Sequence, residues 1–545
     1  MTGAVLRNQV WEHVCRHVDG LSVGTTVHAL HERGVLALLA EGRPVDVADL
    51  ARDFSANPGY LHVALGLLAN QGWLTARAPG PAVETLTCTA TPQGKAVLSG
   101  LALHYATATA FLPLARRLGH VLFGEYDPDG EKEFATALDL MREEWQVPAR
   151  ARPVSARLTV LAHLDGHLAG PVMAHLAKHG MLERPEGVTF TGGGPANPGA
   201  LRTACDILAH QGWAVVDEEG ARLTPHGVVA AACARQYWHP VSYLPLLGSV
   251  DELLFGDPAS ARTAPDEDAH LDRELDIVFS GDVFSATCEE PFLEICLPLF
   301  DTADPGSQPA LVVDSGCGDG TLLHALYTAV RERTERGRRL AEHPLLMVGV
   351  EPSAVARRIT AERLAAAGIP HLVVDGDITD PDAMARSLAA HGLDAGDALH
   401  VSKSVIHDRD YLARAARPVP DGEIPPRMLR FFATPDGQAI TPDAMAHDLT
   451  AHFADWRSVA DRHGLVVIEA HAVDAARSAE LVGRTMATDL DATHGYSHQY
   501  PVEPQVFAWA AKMAGFHSRA HRDLGVSQVG HTMLTIDHFT TRRER

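Results

Sequence analysis

The feature that most constrains this chain is an internal duplication in its first half. The segment HVDGLSVGTTVHALHERG at 17–34 returns as HLDGHLAGPVMAHLAKHG at 163–180, with a His, an Asp-Gly pair, a central Gly and the last Gly in register. Further along, LGLLANQGWLTA returns as CDILAHQGWAVV, and TPQG at 91–94 returns as TPHG at 224–227. Self-similarity of this length predicts two copies of one structural unit.

Each copy has the element order of a winged helix, with several helices before a β-hairpin and a further helix. The apolar residues from Tyr60 to Leu68 recur at helical spacing, an Asn-Gln-Gly sequence ends that helix, and alternating threonines from Thr85 to Thr89 are typical of a strand. The sequence therefore predicts winged-helix-like repeats at 1–150 and 151–285, followed by a third domain at 286–545.

A winged helix favours a transcription regulator, but the charge of this chain argues against that function. The sequence has 46 Lys and Arg against 69 Asp and Glu, a net charge of -23, whereas nucleic-acid affinity comes largely from cations that contact phosphates. The helices that would enter a groove, PGYLHVALGLLAN and PGALRTACDILAH, offer only Arg202 as a permanent cation, beside Asp206. We expect no nucleic-acid partner, and interpret the repeats as packing elements or as the surface of a homodimer.

The rest of the composition is that of an ordinary soluble chain. No run approaches the roughly 20 apolar residues of a membrane span, and the first residues lack an apolar segment before a cleavage site. The seven cysteines are scattered without a C-x-x-C pair, which disfavours a disulfide frame or a zinc ribbon. We predict a cytoplasmic protein with no membrane partner.

From about Pro309 the pattern changes to short apolar runs that alternate with longer helical segments, which predicts an α/β fold with a doubly wound, Rossmann-like sheet. ALVVDSGCGDGTLLHAL has the pattern of a buried strand, a glycine-rich turn and the start of a helix. The acidic turn, with Asp314 and Asp319, disfavours a pyrophosphate but suits a cationic sulfonium that carries an amino-acid tail. A dinucleotide-dependent dehydrogenase is the alternative, although it would need a third helix-packing glycine and a route for the phosphates.

This turn resembles motif I of the class I S-adenosylmethionine-dependent methyltransferases. The resemblance implies that Glu351, at the end of LLMVGVEPSA, binds both ribose hydroxyls, and that Asp377, in HLVVDGDITDP, contacts the adenine amino group. A carboxylate can accept two hydrogen bonds from a cis-diol, so the residue type fits the first of these roles. The residues predicted to bind the cofactor are Asp314, Gly316, Gly318, Asp319, Glu351, Asp377 and Ser402.

The next predicted strand and its loop, ALHVSKSVIHDRDYL, are similar to the same segment of plant-type small-molecule O-methyltransferases, which also carry an N-terminal winged helix for dimerisation. The resemblance implies that His407, which Asp408 follows, removes the proton of the substrate. An imidazole can accept a phenolic or α-carbon proton at neutral pH. The alternative interpretation of His407 is a surface or capping histidine in a chain with 31 histidines.

A second polar block, HGYSHQYPVE, precedes a helix near the end of the chain. It resembles the corresponding loop of mononuclear iron- or manganese-dependent C-methyltransferases of polyketide starter-unit assembly, the type found in the apratoxin initiation module. Imidazole, carboxylate and amide donors suit six-coordinate iron(II) or manganese(II) better than tetrahedral zinc. The candidate metal ligands are Asp408, His494 and Gln499, with His407 and His498 as alternates. Glu469 and His471 are interpreted as residues behind the ligands, as pocket wall, or as purely structural.

These observations favour a metal-dependent C-methyltransferase that acts on the α-carbon of a chelating 1,3-dicarbonyl or 2-oxo acyl substrate, free or bound to an acyl carrier protein. In this hypothesis His407, a metal-bound water or Tyr496 takes the α-proton, and the enolate carbon attacks the methyl group. Two other hypotheses stay open. One is a metal-free O-methyltransferase with His407 as the base, and the other is a winged-helix regulator that senses S-adenosylmethionine.

Overall fold

The structure is a computed structural model that describes residues 3–78, 80, 83–183, 188–189, 196–262, 270–414, 425–525 and 530–541. Its contacts divide the chain into two units. The first comprises Met1–Asp276, Leu429–Ala439 and Asp474–Ser497, and the second comprises Ile277–Met428, Ile440–Val473 and His498–Arg545. Two short segments of the predicted third domain therefore belong to the unit that contains the repeats, which sequence analysis did not anticipate.

The elements of the described residues are as follows. The helices are α1 (Gly3–Glu32), α2 (Val35–Ala40), α3 (Val47–Asp53), α4 (Pro58–Asn70), α5 (Pro92–Gly100), α6 (Tyr105–Thr109), α7 (Leu112–Phe123), α8 (Pro128–Arg142), α9 (Val154–Lys178), α10 (Pro198–His210), α11 (Pro225–Ala232), α12 (Trp238–Ser242), α13 (Leu244–Leu247), α14 (Val250–Phe255), α15 (Arg273–Val283), α16 (Glu289–Cys296), α17 (Thr321–Arg333), α18 (Glu335–Arg338), α19 (Ala354–Ala366), α20 (Pro381–Ala390), α21 (Pro442–Trp456), α22 (Ala475–Glu480), α23 (Ala487–Tyr496) and α24 (Pro504–Met513). The strands are β1 (Val45–Asp46), β2 (Leu74–Arg77), β3 (Thr87–Ala90), β4 (Val188–Thr189), β5 (Ala214–Val216), β6 (Gly220–Leu223), β7 (Leu311–Ser315), β8 (Leu346–Val350), β9 (His371–Val374), β10 (Ala398–Lys403), β11 (Phe432–Ala433), β12 (Ala439–Ile440), β13 (Leu465–Ala470), β14 (His517–Leu524) and β15 (Leu534–Thr540). Short 3-10 or π turns lie at Ala102–His104, Glu144–Gln146, Ala234–Tyr237, Ser260–Arg262, Phe284–Cys288, Leu297–Phe300, Pro305–Ser307 and Ala395–Asp397.

The winged-helix prediction for the first unit is confirmed in both copies. The first wing has the strand order β1-β3-β2 and the second has the order β4-β6-β5, with antiparallel pairing in each. The duplicated Thr-Pro-x-Gly motif starts the helix after each wing. Thr91 accepts a hydrogen bond from the backbone N–H of Gly94 at 2.9 Å, and Thr224 does the same for Gly227 at 3.1 Å.

The duplicated Gln-Gly-Trp sequence explains why each of these motifs requires its glycine. A Cβ added at Gly94 would lie 1.8 Å from the carbonyl oxygen of Trp73, and a Cβ at Gly227 would lie at the same distance from the carbonyl oxygen of Trp213. Only glycine allows the start of the helix to approach the backbone before the wing so closely. The two motifs that revealed the duplication therefore pack against each other in each copy.

The long helices α1 and α9 cross at glycines, and the contact is reciprocal. A Cβ at Gly20 of α1 would lie 2.3 Å from Cα of His163, and a Cβ at Gly166 of α9 would lie 2.3 Å from the carbonyl oxygen of His17. These glycines occupy the same position in the two copies. Each copy therefore presents the same small surface to the other, as the subunits of a two-fold dimer do.

Hydrogen bonds between the copies follow the same reciprocal rule. Each hydrogen bond between the copies has a matching bond, in which the equivalent residues make the same contact with the two copies exchanged. The first pair is His17 Nδ1 with the hydroxyl of Tyr237 at 2.9 Å, and His163 Nδ1 with the hydroxyl of Tyr105 at 2.8 Å. The second pair is Asn57 N–H with the Leu254 carbonyl, and Asn197 N–H with the Leu122 carbonyl, both at 2.8 Å. The repeats thus form an internal dimer within one chain.

The second unit contains the predicted doubly wound sheet, which is confirmed. Its strand order is β14-β15-β13-β10-β7-β8-β9. Within this sheet β9, β8, β7, β10 and β13 run parallel, while β15 runs antiparallel to β13 and β14 antiparallel to β15. Val312, Val401 and Val466 of the central strands are fully buried in one apolar core with Phe292 of α16. The carboxyl ends of β7, β8 and β10 therefore meet at one edge of the sheet, next to the point where the strand order reverses.

Within the residues that the structure describes, no single helix is long and apolar enough to cross a membrane, although α5 and the stretch Ala102–Phe123 pass this test as a pair bent by 47°.

Candidate active site

The glycine-rich turn after β7 is held in a shape that most residues cannot adopt. Gly316, Gly318 and Gly320 have φ angles of 77°, 53° and 76°, all in the left-handed region. A Cβ at Gly316 would lie 2.5 Å from Cγ1 of Val405, whereas a Cβ at Gly318 would meet no atom within 4 Å. Gly316 is therefore required for packing, and at Gly318 the turn presents bare backbone that a ligand can approach.

Asp314, the last-but-one residue of β7, is a buried carboxylic acid at the start of this turn. Its exposed fraction is 1%, and no donor in the described part of the chain reaches its Oδ1 atom. Burial raises the pKa of Asp314 well above its usual range, the charge of Glu351 adds to the increase, and Lys403 opposes it. A cation placed beside Asp314 would favour the ionised form. The ammonium or sulfonium group of S-adenosylmethionine has the required charge, so the residue fits the predicted cofactor.

Glu351 follows β8 and is fixed by backbone donors. Its Oε2 accepts the N–H of Gly318 at 3.2 Å, and its Oε1 accepts the N–H of Ser353 at 3.1 Å. An ionised carboxylate offers about four acceptor positions, so two hydrogen bonds from a ribose diol remain compatible with these contacts. The structure thus brings the predicted ribose ligand against the glycine-rich turn.

Asp319 makes the contacts of a helix cap. Its carboxylate accepts hydrogen bonds from the N–H of Thr321 at 2.9 Å and from the hydroxyl of Thr321 at 2.8 Å, and it forms an ion pair with Arg363 at 2.7 Å. A carboxylate at a helix N-terminus is stabilised by the helix dipole. These contacts give Asp319 a role in the shape of the turn, and its contact with the cofactor stays a prediction.

The two remaining predicted cofactor residues differ in their surroundings. Asp377 is exposed, and its Oδ1 accepts the N–H of Thr379 at 2.6 Å. Ser402 is fully buried near the end of β10, level with Ser315 of β7, and no partner for its hydroxyl lies among the described residues. A buried hydroxyl without a partner costs free energy unless a ligand or water completes its hydrogen bonds.

Lys403 is a site residue that sequence analysis missed. It ends β10, and its ammonium group donates a hydrogen bond to the hydroxyl of Ser280 in α15 at 2.7 Å. The neighbouring Gly281 lies against the turn, since a Cβ added there would be 3.0 Å from a carboxylate oxygen of Asp319. The signal in the sequence was a lysine at the end of a predicted strand, at the edge of the sheet where the strand ends before it carry Asp314 and Glu351.

His407 and Glu469 form a buried pair at the carboxyl ends of β10 and β13. Their exposed fractions are 4% and 1%, and Nδ1 of His407 is hydrogen-bonded to Oε1 of Glu469. An ionised carboxylate can only accept, so the imidazole proton lies on Nδ1 and Nε2 carries the lone pair. This is the arrangement that prepares a histidine to accept a proton and then stabilises its cationic form.

Three further contacts fix the loop that carries His407. The N–H of Tyr500 donates to the carbonyl of His407 at 2.6 Å, which joins the HGYSHQYPVE segment to the loop after β10. Arg409, exposed by only 1%, donates to the carbonyl of Ile406 at 3.0 Å and forms a buried ion pair with Asp448 at 3.4 Å. The interpretation of His407 as a surface histidine is therefore wrong, because the residue is buried and held from both sides.

The backbone is strained in both polar blocks. Ser404, three residues before His407, has a φ of 56°, and His498 has a φ of 64°. A left-handed backbone is unfavourable for residues other than glycine, and strain of this kind is enriched at functional sites. His471, by contrast, has a structural role. Both of its ring nitrogens are bonded, to Val502 and Thr535, and burial lowers its pKa to about 4.

The predicted metal ligands are distributed over the two units. Asp408 is exposed, His498 buried and Gln499 half-buried in the second unit, while His494 belongs to the first unit. Nδ1 of His494 is bonded to the carbonyl of Leu490 at 2.7 Å, so Nε2 carries the lone pair, as in most histidines that bind metals. The described ranges contain no group of three or more His, Cys, Asp and Glu placed to hold a metal. The metal site stays a prediction.

Tyr496, the second candidate base, lies in the first unit. Its ring is fully buried, and its hydroxyl is hydrogen-bonded to that of Thr26 at 2.9 Å. Burial raises the pKa of Tyr496, which keeps the phenol protonated at neutral pH. A protonated phenol can donate a hydrogen bond to a developing negative charge, but it is a poor acceptor for the substrate proton. His407 is therefore the better candidate for the base.

Comparison with known proteins gives a consistent set of family matches. The AprA N-terminal domain matches residues 10–76, the AprA winged helix domain matches 165–257, and the AprA MT2-like methyltransferase domain matches 268–536. No curated protein matches the chain.

Several solved structures are similar at low identity. An O-methyltransferase family 2 protein from Planctomyces limnophilus in complex with apigenin is 11% identical, with 97% of this chain and 95% of that chain covered and a TM-score of 0.36. LepI in complex with S-adenosylmethionine is 12% identical, with 80% and 99% covered and a TM-score of 0.41. The CurJ carbon methyltransferase is 11% identical, with 79% and 98% covered and a TM-score of 0.31. The three family matches lie in chain order, and the third contains the glycine-rich turn and the His407–Glu469 pair, so the chain belongs to the AprA MT2-like family of S-adenosylmethionine-dependent methyltransferases.

Proposed function

We propose that this methyltransferase transfers the methyl group of S-adenosylmethionine to the α-carbon of an acyl substrate that carries two oxygens in 1,3 or 1,2 relation. A malonyl-type thioester on an acyl carrier protein and a 2-oxo acid are the substrates of this class. The cytoplasm is the proposed place of the reaction. The observation that carries the proposal is the buried His407–Glu469 pair at the carboxyl ends of two strands of the methyltransferase sheet.

The pair supplies the base that an α-carbon acceptor requires. An α-proton must leave before or while the carbon attacks, and Nε2 of His407 is the atom that accepts it. Glu469 then faces an imidazolium ion, and its negative charge stabilises that ion within a buried site. The carbon forms its bond to the methyl group, the sulfonium–methyl bond breaks, and its electron pair stays on the sulfur of S-adenosylhomocysteine. The proton leaves His407 to water after product release.

Binding of the cofactor is assigned to the turn and the strand ends around it. Asp314 provides a negative charge for the cationic part of S-adenosylmethionine, and Glu351 provides acceptors for the ribose hydroxyls. Ser402 and the backbone of Gly318 face the same strand edge. These roles are consistent with the directions in which burial and charge shift the pKa of Asp314.

The preference for carbon is supported by the resemblance of HGYSHQYPVE to the metal-dependent C-methyltransferases. Asp408, His494 and Gln499 are the proposed ligands, with His498 as the alternate. They form a set of carboxylate, imidazole and amide donors, which iron(II) and manganese(II) accept. Such an ion supplies a positive charge that makes the α-proton of a chelating substrate more acidic. His494 supports the proposal because its bond to the Leu490 carbonyl already directs the lone pair to Nε2.

O-methylation is the second candidate function, since the same histidine and carboxylate can take a phenolic proton. The two functions differ in the atom that receives the methyl group and in the requirement for a metal. We would supply S-adenosylmethionine labelled with ¹³C in its methyl group, together with malonyl and 2-oxo acyl thioesters or hydroxylated aromatics. The position of the label is then read by NMR.

C-methylation predicts a label on the acyl α-carbon, about one iron or manganese per chain by elemental analysis, and loss of that metal in His494→Ala. The control is His391→Ala, an exposed histidine bonded to the carbonyl of Ser387 near the end of its own helix. A label found on an aromatic oxygen, with full activity after removal of metal by a chelator, would replace C-methylation by O-methylation.

A further inference from the structure

The internal dimer is symmetric in its packing but asymmetric in the side chains that surround helix α23. This helix, which carries His494, packs against α1 and α4 of the first repeat. Ser22 of α1 donates to a carboxylate oxygen of Asp489 at 2.6 Å, and Thr26 is hydrogen-bonded to Tyr496 at 2.9 Å. Two adjacent turns of α1 therefore hold the two ends of α23.

The corresponding positions of the second repeat cannot make these contacts. Aligned on the duplicated segments, Ser22 and Thr26 correspond to Leu168 and Val172. Helix α8 and the turn after it pack on that side instead, and Nε1 of Trp145 donates to Asp165 at 2.7 Å. The hydroxyl groups of Ser22 and Thr26 are thus present in the repeat that packs against α23, and apolar residues replace them in the other repeat. Contact with α23, rather than the winged-helix fold, therefore explains these polar residues.

One residue of the second repeat reaches α23 as well. Nδ1 of His239 is hydrogen-bonded to the second carboxylate oxygen of Asp489 at 3.0 Å. Its ring stacks on the ring of His494, with centroids 5.6 Å apart and planes inclined by 23°. Aligned on the counterparts Tyr105 and Tyr237, the corresponding residue of the first repeat is Thr107, which has no ring to stack. His239 therefore breaks the symmetry at a point that serves α23.

We propose that His239 is a positioning residue for His494, supplied by the second repeat across the internal dimer. Asp489 fixes the ring of His239, and the face of that ring limits the rotation of the His494 imidazole, whose Nδ1 is already fixed by Leu490. Two constraints on one imidazole determine where its Nε2 atom points. This inference rests on the proposed role of His494 as a metal ligand.

The experiment measures the affinity of the full chain for manganese(II), by titration calorimetry and by the electron paramagnetic resonance spectrum of the bound ion. His239→Ala should weaken manganese binding about 10- to 100-fold, the range found when a residue behind a metal ligand is removed. The affinity for S-adenosylmethionine should stay within about twofold of the wild type. His239→Asn keeps a donor near the Nδ1 position and should recover part of the loss.

His167→Ala is the matched control. His167 is also buried in the first unit, but its Nδ1 bonds the carbonyl of His163 within its own helix. This variant should lower the melting temperature without changing manganese affinity. If His239→Ala does not fold, His239→Leu replaces it, since Leu fills much of the same space but has neither the ring nor the bond to Asp489.

The outcomes separate the two proposals. Wild-type manganese affinity in folded His239→Ala or His239→Leu, together with loss of the metal in His494→Ala, would overturn the positioning role and leave the proposed function intact. Wild-type manganese affinity in His494→Ala would remove His494 as a ligand, and the positioning role with it. Equal weakening in His239→Ala and His167→Ala would show a general loss of packing and would also overturn the inference.

Discussion

Asp314 lies near the end of β7, and Glu351 directly follows the neighbouring parallel strand β8. The charge of Glu351 adds to burial in raising the pKa of Asp314. Two acids at one site repel each other, so a cation is the ligand that relieves the repulsion. In the protein without ligand, the raised pKa favours the protonated form of Asp314. The two neighbouring carboxyl groups thus make this site suited to a positively charged cofactor.

The first prediction concerns the pH dependence of stability. The unfolded chain releases the Asp314 proton at lower pH than the folded chain does, so the contribution of Asp314 to stability is complete at low pH and is lost as the pH rises through its raised pKa. S-adenosylmethionine should therefore raise the melting temperature more as the pH increases. Asp314→Asn should remove this dependence and weaken cofactor binding at least tenfold, as measured by calorimetry and thermal unfolding between about pH 5 and pH 8. An unchanged cofactor affinity in Asp314→Asn would contradict the assignment.

The second prediction concerns the carboxylate behind His407. Glu469→Gln keeps the size of the side chain but removes the charge that stabilises the imidazolium ion, so kcat should fall by a factor of about 10² to 10⁴. The dissociation constant of S-adenosylmethionine should not change. Single-turnover methyl transfer and equilibrium cofactor binding measure the two effects separately. If kcat kept its wild-type value in Glu469→Gln, His407 would not depend on this pair for catalysis.

The third prediction tests the crossing of α1 and α9. Gly20→Ala places a methyl group 2.3 Å from the backbone of His163, and overpacking of this kind should cost about 1–3 kcal/mol in the free energy of unfolding. Gly66→Ala in α4 is the matched control, since its methyl group meets no atom within 4 Å. That change should stabilise the chain by about 0.5–1 kcal/mol, because alanine has the better helix propensity. Urea denaturation measures both, and equal effects at the two positions would argue against the close crossing.

The fourth prediction concerns the oligomeric state. The sequence leaves two interpretations of the repeats, packing elements or the surface of a homodimer, and the faces of α1 and α9 contact each other within one chain. We therefore expect sedimentation to give the mass of one chain, 58.5 kDa. A mass twice as large, restored to 58.5 kDa by substitutions on exposed residues of the repeats such as Leu158, would show that a second face of the repeats pairs between chains.

The parts of the fold that follow from local pattern were predictable from the sequence. The duplicated motifs indicated both winged helices, and the order of apolar runs indicated the parallel sheet and the strand ends that carry Asp314, Glu351 and His407. Contacts between residues far apart in the chain were not predictable. Nothing in the sequence pairs His407 with Glu469, 62 residues away, because the parallel neighbours β10 and β13 are joined by a long crossover.

The segment 474–497 shows the same limit more clearly. Its position in the sequence, after the fifth strand of the sheet, predicts a part of the methyltransferase domain, but its contacts assign it to the first unit. The cause is visible only in the folded chain, where Asp489 meets Ser22 and His239, and Asp491 meets Asn70. A buried carboxylate requires donors, and these donors come from three distant stretches of sequence.

The reciprocal contacts of the internal dimer also explain why the duplication can still be read. Gly20 and Gly166 each meet backbone of the other copy that leaves no room for a Cβ, and His17 and His163 are each hydrogen-bonded to a tyrosine hydroxyl of the other copy. A change in one copy cannot be offset by its counterpart, because each copy forms half of two separate contacts. Positions such as Ser22 and Leu168, which face different neighbours, are free to differ. At these positions the similarity between the halves marks where they contact each other, and the differences mark contacts that only one half makes.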